Sequence, residues 1–115
     1  MIFSTYRGRV KRGVRFLDKH VGRDVWLPRV NVERVDVQCD VNCPLAQATG
    51  ESYWHATDRL GLAPDGVAAV RATWLGFLDM PRDFSDGLSE EWRRQVRALQ
   101  LASDRERVHL MEEVG

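Results

Sequence analysis

The sequence predicts a mainly α-helical protein: a compact bundle of about four helices with an irregular or short β-containing connection over residues 24–42. Three observations carry this. Apolar side chains recur at three- and four-residue spacing along most of the chain, which places them on one side of a helix. Glycine and proline stand at the ends of those runs, where helices start and stop. Of 115 residues, 43% are hydrophobic and 30% charged, a globular rather than a disordered composition. At this length a core forms without disulfide or metal support. The expected organisation is one domain, with an arm over 1–9, a core over 10–101 and a helical extension over 102–115.

The first helix is expected over 10–21, where Val10, Val14, Leu17 and Val21 share a face. Gly13 should weaken it and fray its first turn, and Gly22 should stop it. Residues 24–42 are ambiguous. Val30, Val32, Val35, Val37, Cys39 and Val41 alternate as in a strand, yet Asn31 could cap a helical turn, and Pro28 opposes a continuous central strand. Both readings stay open here.

The next helix should run over 44–60. Pro44 suits the first helical position because its missing N–H has no partner there. Leu45, Ala48, Ser52 or Tyr53, Ala56 and Leu60 fall on one side, and Gly61, Leu62 and Pro64 end it. Gly50 either admits a close neighbour or divides the helix in two. A third helix should begin after Asp65 and run to Leu78, with Val67, Val70, Trp74, Phe77 and Leu78 facing inward. Residues 79–87 read as a loop. Ser89 should cap a fourth helix, with Glu90 and Glu91 at its positive end and Trp92, Val96 and Leu99 as its stripe. Beyond Leu101 the pattern thins to Val108, Met111 and Val114.

No run approaches the roughly 20 apolar residues of a membrane span, and the first residues do not read as a signal peptide. The expected compartment is the cytoplasm, with both cysteines reduced. No phosphate-binding glycine loop and no paired-carboxylate arrangement stands out. Neither a cofactor nor an enzymatic activity is expected.

Cys39 and Cys43 are the residues a zinc or thiol site would use, with His20, His55, His109 or Asp40 completing a ligand set. Cys43 at a helix start would have a lowered thiol pKa. The competing expectation is two small buried apolar residues, with His55 an ordinary surface histidine.

Charge is uneven although the net charge is zero. Residues 1–35 hold nine Lys/Arg against three Asp/Glu, and residues 36–115 hold eight against fourteen. Arg7, Arg9, Lys11, Arg12, Arg15, Lys19 and Arg23 cluster with a single acid, Asp18, and with Tyr6 and Phe16 interleaved. Such a cluster could contact nucleic acid through phosphates. It could equally complement the acidic remainder of the chain or a protein partner. The pI near 6.8 is below that of a typical nucleic-acid-binding domain.

Cys43, Leu45, Gln47 and Gly50 form a Cys-x-Leu-x-Gln-x-x-Gly motif. The aromatic pair Tyr53 and Trp54 follows, then Leu60, Gly61 and Leu62, then Leu75, Gly76 and Phe77. Leu88, Ser89, Trp92 and Arg93 open the last helix. Over about residues 10–100 this series resembles a group of uncharacterised small helical proteins of actinobacteria and their phages. Pro44 stands where the group has valine, and the tail from Leu101 departs from it. The resemblance implies a shared fold and no known activity. It also implies a phage or actinobacterial origin, where small helical proteins act by binding a host protein. The leading expectation is therefore a non-enzymatic accessory protein that binds a host or phage protein. A homodimer through the C-terminal helix is a further expectation. Gln47, polar among apolar neighbours, should bond the backbone of the 24–42 segment.

Overall fold

A computed structural model describes residues 5–62, 66–77 and 87–114. Pro64, Asp65, Leu78 and residues 79–86, expected as a loop, lie outside the described residues, as do the side chains of Val67, His109, Met111 and Val114.

Helix α1 spans Tyr6–His20. It begins four residues before its apolar stripe because Thr5 Oγ1 accepts a bond from the Gly8 N–H at 3.2 Å and caps it. Residues 6–9, expected in an arm, are its first turn. Val10, Val14 and Leu17 are buried as their spacing predicts. Gly13 has a different role from the expected weak point. A Cβ there would stand 2.2 Å from the Leu75 carbonyl oxygen and 2.6 Å from the indole of Trp92. Only glycine lets α1 approach this closely.

No strand occurs over 24–42. Helix α2, Arg23–Trp26, runs into a 3-10 turn at Leu27–Arg29, and a second follows at Val32–Arg34. Asn31 caps that second turn by accepting from the Glu33 N–H at 3.1 Å. Trp26, Leu27, Val30, Val35 and Val37 are buried. Their backbone needs hydrogen-bond partners, and helix side chains supply them in place of a neighbouring strand. Gln100 Nε2 donates to the carbonyls of Leu27 at 3.1 Å and Val30 at 2.8 Å. Arg93 Nη2 donates to the Val35 carbonyl at 2.5 Å. Ser89 Oγ accepts from the Val37 N–H at 2.9 Å.

Gln47 makes the contacts its position predicts. Its Oε1 accepts from the Asn31 N–H at 2.7 Å, and its Nε2 donates to the carbonyls of Asn42 at 2.9 Å and Asn31 at 3.3 Å. Each such bond contributes about 1 kcal/mol net, and the site is only half buried. Gln47→Ala should therefore cost about 1–2 kcal/mol in urea unfolding. An unchanged midpoint would show that the clasp contributes nothing.

Gly50 divides the expected 44–60 helix. Helix α3 spans Pro44–Thr49, and Gly50 follows in the left-handed region at φ 74°. Ser52 caps α4, Tyr53–Arg59, by accepting from the His55 N–H at 3.4 Å. A side chain at Gly50 would be strained, so one pattern becomes two helices. Leu45, Ala48, Tyr53, Ala56 and Leu62 all enter the core, whereas Trp54 stays 55% exposed.

Helix α5 covers Gly66–Trp74 and ends short of the expected Leu78. Its expected stripe is displaced: Val70 and Trp74 are exposed, and Ala72 and Thr73 are buried. A turn after Trp74 carries Leu75 and Phe77 inward, so Phe77 reaches the core from outside the helix.

Helix α6 covers Gly87–Val114, 28 residues. Ser89 is inside it and buried. Its hydroxyl clasps Val37 and does not serve as the expected cap. Leu88, Trp92 and Val96 are buried. Trp92 stacks on Phe77 at 5.6 Å, and its Nε1 donates to the Gly76 carbonyl at 2.7 Å. The radius of gyration is 14.8 Å, against about 13 Å for a compact chain of this length. The excess matches a helix about 42 Å long at 1.5 Å per residue, well beyond the molecule's smaller extents of 28 and 22 Å.

Candidate functional site

The basic cluster is the candidate the sequence singles out, and the fold divides it. Arg9 is buried, with 4% of its surface exposed. Its Nε donates to the Thr73 carbonyl at 2.9 Å, and its guanidinium stands 5.3 Å from the Tyr6 ring. Arg12 lies flat against Trp74, 3.5 Å from the ring centroid, while its Nε donates to the Trp74 carbonyl at 2.9 Å. Arg9 and Arg12 thus tie α1 to α5. Burial first, then the neighbouring charges of Arg9 and Arg15, pushes the Arg12 guanidinium below its ordinary pKa.

Arg23 is also engaged. It grips Asp18 with two bonds of 2.6 and 2.7 Å, and Trp26 Nε1 donates to the same carboxylate at 2.9 Å. The Arg23 bond is the largest reason the Asp18 carboxyl titrates below its usual range. Three of the seven expected contact residues are therefore bonded within the protein: Arg9 buried, Arg12 half-buried and Arg23 exposed. Neutralising Arg9 or Arg12 would perturb folding as well as any contact.

Arg7, Lys11, Arg15 and Lys19 are exposed. They recur every four residues, so each stands about 6 Å further along α1 than the last. Lys11, Arg15 and Lys19 form no ion pair among the described residues. At the head of the row, Glu91 on α6 feels the charge of Arg7. Burial pushes the Glu91 carboxyl up, but Arg94, Gln95 and Arg7 together hold it below its ordinary value.

The cysteine region behaves differently from a reactive site. Cys43 caps α3 through its sulfur, which accepts from the Ala46 N–H at 3.3 Å. It is 1% exposed, and burial pushes its thiol up to about 11 despite the backbone donors. The lowered pKa expected of a helix N-terminus is thus reversed by desolvation. Cys39 is half buried and His55 is exposed. Among the described residues, no three His, Cys, Asp or Glu side chains are grouped to hold a metal ion.

A buried acid with a raised pKa stabilises the fold while its unfolded counterpart is also protonated. Cys43 should therefore favour folding below its ordinary pKa of 9.0 and lose that contribution as pH rises toward about 11. In the native protein at pH 8, iodoacetamide should modify Cys39 much faster than Cys43, with both reacting equally in urea. Rapid native labelling of Cys43, read by peptide mass spectrometry, would refute its burial.

An open groove of about 580 Å³ lies at the base of the outer part of α6. Leu27 and Pro28 form one wall, Leu99 and Ala102 the other, and Arg23 and Asp104 stand among the charged residues of its lining. From Leu101 to Val108 every side chain of α6 is exposed. Leu101 and Val108 expose 50% and 55% of their surface.

Three features here escaped the spacing argument: the Arg12–Trp74 stack, the clasp of Ser89, Arg93 and Gln100 on the connection, and the close approach at Gly13. The first had a signal in the six Lys/Arg side chains on the single helix α1, too many for all to face water. The others depend on contacts between segments distant in sequence. Among the described residues, no helix is long and apolar enough to cross a membrane. No family model, curated protein or solved structure matches the chain.

Proposed function

We propose that this is a non-enzymatic accessory protein that binds another protein, of host or phage origin, through the outer half of α6 and the groove at its base. The observation that carries the reading is the unbroken exposure of residues 101–108 on a helix that continues to Val114. A helical segment of about 14 residues is marginal in water without tertiary support. A partner that covers Leu101 and Val108 would provide that support. The groove walls Leu27, Pro28, Leu99 and Ala102 offer an apolar centre beside charged residues, the usual make-up of a protein interface. Resemblance to small actinobacterial and phage proteins favours a host or phage protein as the partner, and a second copy of the chain is the simplest variant.

The test compares the full chain with a Leu101→Arg/Val108→Arg variant. Both positions are exposed, so the variant should melt as the parent does. The parent should retain a specific protein from host lysate, identified by mass spectrometry, or run as a dimer in light scattering, and the variant should lose that property. Monomeric behaviour with identical capture by both chains would reject the reading.

A further inference from the structure

We infer that the outward face of α1 is a sequence-independent binding site for the phosphate backbone of duplex nucleic acid, formed by Arg7, Lys11, Arg15 and Lys19. The observation is the division of the basic cluster described above. Arg9, Arg12 and Arg23 are held by the protein itself, whereas the other four are exposed in one row.

The composition of that face selects the partner's chemistry. The row runs beside Gly8 and Asp18, and no apolar side chain stands within it. A protein interface draws its energy from a few desolvated apolar or aromatic anchors, and this face offers none. A polyphosphate needs only charges in register, because binding is driven by release of counterions. The four cations extend over about 18 Å of helix, roughly five base-pair steps of about 3.4 Å. Asp18 is the one acid of α1 on this face, and its carboxylate is occupied by Arg23 and Trp26; Glu91 of α6, near Arg7 at the head of the row, is held by Arg94 and Gln95. Among the described residues of the face there is no Asn or Gln to read a base edge. Contact is therefore with the backbone, independent of sequence. The neighbouring aromatic, Trp74, has Arg12 laid on its ring, so base stacking contributes little and a duplex is favoured over a single strand.

The site is separate from the outer half of α6, so the two functions can be lost independently. The experiment measures fluorescence anisotropy of labelled 20-base-pair DNA of random sequence, of a 20-nucleotide single strand and of polyglutamate. The full chain should bind the duplex at low salt. The logarithm of affinity should fall against the logarithm of salt with a slope of about −3 to −4, as roughly four phosphate contacts require. Lys11→Glu/Arg15→Glu should weaken binding at least tenfold. Arg34→Glu/Arg97→Glu makes the same change in net charge at exposed positions elsewhere and should weaken it less than threefold. Thermal melts confirm that both variants fold. No duplex binding at low salt, equal losses in the two variants, or polyglutamate or single-strand binding as tight as that of the duplex would each overturn the assignment. A salt slope shallower than −1 would overturn it from the parent protein alone.

Discussion

Gly13→Ala should lower the melting temperature substantially, although helix propensity alone predicts the opposite. Alanine is favoured over glycine in a helix by about 1 kcal/mol. The added methyl would however stand 2.2 Å from the Leu75 carbonyl and 2.6 Å from Trp92. The Leu75 backbone cannot yield as a side-chain tip would, because the Leu75 N–H is bonded to the Arg71 carbonyl at 3.0 Å and the next carbonyl, of Gly76, receives the Trp92 indole. Overpacking of this kind costs roughly 1–3 kcal/mol, sometimes more. Set against that propensity gain, the upper part of the range leaves a net loss of about 2 kcal/mol, roughly 8 °C in a chain of this size. A rise in melting temperature would mean that α1 does not pass this close to the 75–77 turn.

Arg9→Ala should cost about 3 kcal/mol, and Arg15→Ala less than about 0.5 kcal/mol. The sequence presents these two arginines as members of one cluster. In the fold Arg9 is buried with its Nε on the Thr73 carbonyl, and its removal leaves that carbonyl without this donor and opens a space beside Tyr6. Charge-assisted bonds of this type contribute about 1.5–3 kcal/mol, and the buried aliphatic stem adds packing. Arg15 is exposed. Equal effects in urea unfolding would contradict the division of the cluster, and with it the basis for assigning the outward row a binding role.

The helices were legible because their signals are local. Val10, Val14 and Leu17 repeat at helical spacing, Pro44 opens α3 and Gly61 ends α4, and all of these stand where the pattern places them. Gln47 was legible for a related reason: a polar amide amid apolar neighbours needs partners, and the nearest irregular backbone supplied them. The 24–42 segment was not legible. Its valines alternate as a strand does, but no second strand exists among the described residues to complete a ladder. Its backbone is satisfied instead by Ser89, Arg93 and Gln100, at least 52 positions away. The α5 stripe was misread because the turn after Trp74 rotates Phe77 into the core and leaves Val70 and Trp74 outside. Trp74 then serves as a platform for Arg12. The candidate surfaces were half legible. The excess of cations near the N-terminus was plain, but which of them face water depends on where α5 packs.

The functional reading rests on α6 having two unlike halves, one packed into the body and one standing clear of it. Native-state amide hydrogen exchange along this helix tests that most directly, since protection follows local support. In the isolated protein, amides around Trp92 and Val96 should exchange only through global unfolding. Those from Leu101 onward should exchange faster by orders of magnitude. Uniform protection from Leu88 to Val114 in the monomer would mean that the outer half is already supported, and the case for a partner there would fail.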